Sequence, residues 1–163
     1  MAKNKEEKTN VMRVLEQKKI AYTPHSYPHE EGIAVDGVTV AQSMGFDPAI
    51  VFKTLVARGA SKQYYVFDVP VAENLDLKKA AKAVGEKSIE MIHQKELLPL
   101  TGYVHGGCSP VGMKKQLRTV FASQALAQET ILVSAGKIGY QVELAPHDLA
   151  ALVRAKFADI IVE

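Results

Sequence analysis

The sequence predicts an α/β chain of the mixed α+β kind, in which a mixed, partly closed β-barrel-like sheet is flanked by helices. Three observations lead there. Two hairpin patterns are visible, one pairing residues 51–57 with 64–69 and the other pairing 130–134 with 140–144. One helix, between Asp76 and Gly85, is strongly periodic. Strands and helices interleave irregularly through hairpins rather than in regular βαβ units, which makes a doubly wound nucleotide fold the weaker reading.

At 163 residues and 47% apolar content the chain matches one domain spanning 1–163, large enough to build a core without disulfides or metals. It contains no internal repeat or linker, and the polar residues 1–9 are expected to be flexible. Asn10 can then cap a helix that carries Val11, Val14 and Leu15 on one face and ends near Ile20. A second helical stretch covers Val40 to Gly45, and Asp47-Pro48 starts a turn. The run Val51-Phe52-Lys53-Thr54-Leu55-Val56-Ala57 reads as a strand buried on both faces, with a turn from Arg58 to Lys62 and a hairpin partner from Tyr64 to Val69.

In the next helix Asp76 is the cap, Leu77, Ala80, Ala81 and Val84 form the inward stripe, and Gly85 is the stop. A weaker helical piece lies around His93 to Leu98, followed by a glycine-rich segment from Thr101 to Gly112. The second hairpin turns at Ala135 to Gly139. Pro146 then suits the first turn of a helix with Leu149, Leu152 and Val153 inward, and Asp159 to Val162 return to the sheet.

The single cysteine, Cys108, cannot form an internal disulfide, and the lysine- and glutamate-rich start has no apolar stretch resembling a secretion signal. A reducing cytoplasm is the expected location. No apolar run approaches the roughly 20 residues that span a bilayer, so no membrane partner is expected. Twenty basic against 18 acidic residues leave a net charge of +2, far from what holding long nucleic acid by phosphate contacts requires. DNA is therefore not an expected partner, and any RNA contact should be local or assisted. The short basic groups Lys78, Lys79, Lys82 and Lys114, Lys115, Arg118 read first as solvated faces.

Lys53 is the most informative residue. Alternation puts it on the face of Val51, Leu55 and Ala57, with Phe52, Thr54 and Val56 opposite, so neither face offers obvious solvent. Such a lysine is an amine of depressed pKa, a waiting partner for a carboxylate or phosphate, or a strand-end side chain that snorkels to water. The loop Gly106-Gly107-Cys108-Ser109-Pro110-Val111-Gly112 can turn sharply and aim bare N–H groups at an oxyanion or phosphate. Cys108 lacks any local histidine and carboxylate signature and reads as structural. Ser109 fails the nucleophile-elbow pattern because Val111 stands where that pattern needs glycine. His25 and His29 have a helical metal spacing, but Pro24 and Pro28 make that stretch extended, so no metal and no cofactor are expected.

Several blocks, in one order, resemble the YbaK/EbsC family of aminoacyl-tRNA deacylases, and within it the YbaK-type cysteinyl-tRNA(Pro) deacylases. They are Val51-Phe52-Lys53-Thr54-Leu55, Pro70-Val71-Ala72 with Leu75-Asp76-Leu77-Lys78-Lys79, Thr101-Gly102-Tyr103 with Gly106 to Gly112, Val133-Ser134-Ala135-Gly136-Lys137, and Ala155-Lys156-Phe157-Ala158-Asp159-Ile160. The resemblance runs from about Val11 to Ile161. It implies a YbaK-like fold with a pocket for the aminoacylated 3′ end of tRNA. It also implies that Lys53 is the key functional residue, that the loop Gly106, Gly107, Ser109, Pro110 lines the pocket, and that Tyr27, Ser134 and Gly136 are further pocket positions. Gly106 and Lys53 are the positions assigned to catalysis. Relatives commonly carry an aspartate where Gln141 stands and an aliphatic residue where Cys108 stands.

The mechanism implied by the resemblance needs no protein nucleophile: the substrate cysteine attacks its own ester carbonyl and leaves as a thiolactone. Prolyl-tRNA synthetase is the partner the family precedent implies. Two other readings are compatible with the same residues. One is removal of alanine from proline tRNA by water attack; the other is a non-catalytic module that binds nucleotides or tRNA ends.

Overall fold

Helix α1 (Asn10–Gln17) starts one residue earlier than expected, at Asn10 itself: Thr9, not Asn10, is the cap, its hydroxyl accepting the Met12 N–H. Val11 and Leu15 are fully buried on its inner face, as their spacing requires. The computed structural model describes residues 8–163, so most of the stretch expected to be flexible lies outside the described residues.

Strand β1 (Thr23–Ser26) follows, and then α2 (Gly37–Ser43). This helix begins three residues earlier than expected because Asp36 caps it, accepting the Thr39 N–H. A short 3-10 turn at Pro48–Ile50, capped by Asp47, feeds β2 (Phe52–Gly59). Strand β2 runs two residues further than the apolar run suggested, so the turn to β3 (Tyr64–Pro70) is tighter. Helix α3 (Leu77–Val84) lies between Asp76, which accepts the Lys78 and Lys79 N–H groups, and Gly85 in the left-handed conformation. Ala80, Ala81 and Val84 are buried, but Leu77 at the first turn is exposed, contrary to its place in the stripe.

Strand β4 (Ile89–Met91), helix α4 (Gln94–Thr101) and strand β5 (Arg118–Ala122) come next. The second hairpin is β6 (Ile131–Ser134) with β7 (Tyr140–Leu144), and α5 (Pro146–Val153) leads to β8 (Lys156–Ala158). The last strand thus lies before Asp159, and beyond it only Ile161 makes a single bridge, to Leu75.

The strands form two sheets rather than a partly closed barrel. One has the order β1-β7-β6, all antiparallel. The other has the order β4-β2-β3-β5-β8, with β5 parallel to both β3 and β8. They touch through one bridge between Val51 and Leu132. Closure fails because β4 pairs with β2 only over Ala57–Gly59, leaving the first half of β2 with that bridge alone on its outer edge. The main core packs Phe67, Phe121, Ile131, Leu144, Leu149 and Ile160 between the sheets and helices, and a smaller cluster of Ala41, Val51, Val71 and Leu132 lies against α2. No described helix is long and apolar enough to cross a membrane.

Removing the cap of α3 tests this assembly. Asp76→Ala should lower unfolding stability by about 1 kcal/mol, read as a lower urea midpoint with an unchanged slope.

Candidate functional site

The bare half of β2 opens onto a cavity of about 340 Å³. Its walls come from β2 (Phe52, Lys53, Thr54, Leu55), from the start of α2 (Asp36, Gly37, Val40), from the first sheet (Ser134, Gln141) with Tyr27 just after β1, and from the glycine loop (His105, Gly106, Cys108). Consecutive strand residues project to opposite faces, so the cavity wraps the edge of β2 with Lys53 on one side and Thr54 on the other.

Lys53 is half-buried, and burial holds its ammonium below the ordinary lysine value. The charges of Asp36 and then Glu73 oppose that shift, yet neither carboxylate is within ion-pair distance of the amine. Asp36 is already occupied at the head of α2 by the Thr39 N–H and hydroxyl. The amine is thus a cation inside the cavity wall, ready for an anionic guest.

Gly106 is where the loop bends: its φ is +91°, and a Cβ there would stand 2.8 Å from the Ala34 Cβ. A side chain would therefore meet both backbone strain and the chain leading into α2. Four of the residues expected at the site line this cavity together, namely Tyr27, Lys53, Gly106 and Ser134. The other four lie elsewhere. Gly107 packs against the backbone of Lys137 and Ile138, and Ser109 is fully buried with its hydroxyl accepting the Val111 N–H. Pro110 is buried beside it. Gly136 lines a second cavity of about 450 Å³ with His29, Tyr103, Lys137 and Ile138.

Cys108 is in the cavity wall, but its thiol is pushed up to about 12, first by burial and then by the charge of Asp68, against a hydrogen bond with Thr101. It is a neutral wall group, unsuited to attack an ester. Gln141 is buried in the same wall, and its Oε1 is itself buried with no hydrogen-bond partner among the described residues. His25 is tied to Glu143 at 2.8 Å and His29 to the Tyr27 carbonyl at 2.9 Å. The basic groups serve the fold in part, since Lys79 holds Asp159 and the Ile161 carbonyl, and Arg118 donates to the Val84 carbonyl.

Asp68 escaped sequence reasoning, although a carboxylate in the apolar run Tyr64 to Val69 was a signal that could have found it. It stands directly opposite Thr54 in the β2–β3 ladder and is 0% exposed. Burial pushes its carboxyl up to about 7, while a 2.6 Å hydrogen bond from the Thr54 hydroxyl works the other way.

The family model described as an aminoacyl-tRNA editing domain matches residues 34–152. A protein of Enterococcus faecalis named as a Cys-tRNA(Pro)/Cys-tRNA(Cys) deacylase, EbsC, is 45% identical over 161 residues, 98% of each chain. A solved structure described as a trans-editing enzyme for prolyl tRNA synthetase superimposes with a TM-score of 0.80 at 26% identity, covering 94% of this chain and 95% of that one. A hypothetical protein of solved structure gives a TM-score of 0.82 at 19% identity, over 93% and 99% of the two chains, a likeness of fold alone.

The Asp68 carboxyl also sets a pH dependence of stability. Its folded pKa lies above the ordinary value of 3.8, so it holds a proton in the folded state that the unfolded chain has released. Folding is therefore penalised progressively as pH rises from about 4 to about 7, by a total on the order of 4 kcal/mol. Asp68→Asn removes that penalty, so thermal melts should show the variant gaining on the parent by several degrees between about pH 5 and about pH 8.

Proposed function

Since the chain belongs to the aminoacyl-tRNA editing family, we propose that it is a trans-editing deacylase that cleaves the ester of cysteine mischarged on proline tRNA, with the cavity at β2 as its active site. What supports this reading above all is the partly desolvated, unpaired Lys53 facing the Gly106 bend across one hollow. A terminal adenosine carrying an amino acid presents a phosphate, a polarised ester and an α-ammonium. Lys53 suits the phosphate or the carbonyl oxygen, and the main chain at Gly106 suits the developing oxyanion. Tyr27 and Ser134 are walls for the acylated end, and Gly107, Ser109, Pro110 and Gly136 act by shaping the loop and its support.

The reaction follows from what the cavity lacks. Among the described residues no activated serine or cysteine faces it: Ser109 is turned inward, the Ser134 hydroxyl in the wall is tied to the Gly136 N–H, and the Cys108 thiol is held neutral. The substrate's own thiol supplies the nucleophile: its sulfur attacks the ester carbonyl, the 3′ oxygen leaves with the tRNA, and a cysteine thiolactone remains. Holding thiol and carbonyl in contact recovers part of the roughly 7–11 kcal/mol that good positioning contributes. The working unit is the one domain of residues 1–163, acting in the cytoplasm without metal or cofactor. The small net charge favours a tRNA chosen by a partner, for which prolyl-tRNA synthetase fits.

Two measurements test the proposal. Lys53→Ala should lower kcat/KM for cysteinyl-tRNA(Pro) by about 100-fold, whereas near-normal turnover removes the lysine from the site. A panel of charged tRNAs should show cysteine released much faster than serine on the same tRNA. Preference for alanyl-tRNA(Pro) would point to water attack instead, and protection of the ester would mark a binding module.

A further inference from the structure

The mechanism above leaves the thiol proton without an acceptor, and the fold holds a buried carboxyl without a task. Asp68 is out of contact with solvent in the middle of β3. Its Oδ1 accepts the Thr54 hydroxyl at 2.6 Å, and its Oδ2 has no hydrogen-bond partner among the described residues. Packing gains nothing from this, since an apolar residue of similar size would avoid the desolvation cost. The carboxyl stands just behind the cavity wall: Thr54 lines the cavity, and so does Cys108, whose thiol feels the Asp68 charge. A buried, strongly perturbed acid behind a reactive cleft is a marker of function.

We propose that Thr54 and Asp68 form the proton relay of the reaction, the Thr54 hydroxyl taking the proton of the attacking group from the cavity while passing its own to Asp68. This rests on the deacylase reading of the same cavity. The substrate S–H bond breaks as a new bond forms between that proton and Thr54 Oγ1. The original Oγ1–H bond breaks as the hydrogen moves to Asp68 Oδ1. The sulfur electron pair makes the S–C bond, and the carbonyl π pair moves to its oxygen. On collapse the carbonyl re-forms, the C–O3′ bond breaks, and the 3′ oxygen recovers a proton from Asp68 back through Thr54. Thiolactone and free tRNA result, and Asp68 ends ionised as it began.

Asp68 acts through Thr54 and is a positioning residue in that sense, while Thr54 touches the substrate. A carboxyl pushed up to about 7 is matched to proton exchange at neutral pH. The titratable group facing it is Cys108 of the glycine loop, which stays protonated with a thiol near 12 and so does not compete for the proton.

Single-turnover cleavage of cysteinyl-tRNA(Pro) by the full chain, followed from about pH 6 to about pH 8.5, tests the relay. Asp68→Asn and Thr54→Val should each slow cleavage about 100-fold at neutral pH, in kcat rather than KM. The gap to the parent should close as pH rises and the substrate thiol ionises unaided. The double variant should be no slower than either single one, and Thr54→Ser, which keeps the hydroxyl, should restore the rate. Should Asp68→Asn fail to fold, the Thr54→Val and Thr54→Ser pair decides alone. Parent-like rates and pH profiles in Thr54→Val or in folded Asp68→Asn overturn the relay while leaving the deacylase standing. A parent chain that leaves the ester intact overturns both.

Discussion

The site exists because one strand is half covered. Backbone N–H and C=O groups on a sheet edge need partners or shelter. Strand β2 obtains a full ladder from β3 but only three paired residues from β4, and the one bridge to β6 is made by Val51 just before it. The two sheets therefore meet at Val51–Leu132 and part from there, and the gap between them is the cavity. Everything in the wall follows from that edge: Lys53 and Thr54 are adjacent in sequence, yet alternation delivers one to each side of it.

One physical cause, loss of water, then sets the unusual protonation tendencies of Lys53, Asp68 and Cys108, as it does that of Tyr27 in the same wall. It lowers the affinity of Lys53 for its proton and raises those of Asp68 and Cys108, because in each case the charged form is the one that suffers. The outcomes differ through the neighbours. Lys53 has two carboxylates at a distance and keeps its charge; Asp68 has only a threonine hydroxyl and hovers between its two states. Cys108, with a carboxyl behind it, is held neutral. The three groups thereby differ: Lys53 is an unpaired cation in the wall, Asp68 a protonatable carboxyl behind it, and Cys108 a neutral thiol of the wall.

Much of this was legible in the chain because its signals are local. The Asp76 and Gly85 caps, the two hairpins and the misfit of a lysine inside an apolar run all come from neighbours within a few residues. The parts that were not legible depend on distant pairing. Strand β5 is an inner strand of its sheet yet lies between β3 and β8, partners that are far away in sequence, and nothing within Arg118 to Ala122 announces it. The same limit separates Gly106 from its neighbours in the glycine loop. Composition makes Gly107, Ser109 and Pro110 look equivalent to it, whereas the fold turns them toward Ile138 and the core and leaves Gly106 facing the hollow. Asp68 shows the converse: a short apolar run conceals which face is lined by what, and only the ladder register puts its carboxyl behind Thr54.

The arrangement at the head of α2 governs how readily a guest is admitted. Asp36, whose negative charge is the largest acting on Lys53, caps α2 through Oδ2, which accepts both the N–H and the hydroxyl of Thr39, and it lies outside ion-pair distance of the amine. An arriving phosphate consequently finds no internal salt bridge to displace. Entry and departure of such a guest break no ion pair on that amine, a property suited to a proofreader that must release what it has corrected.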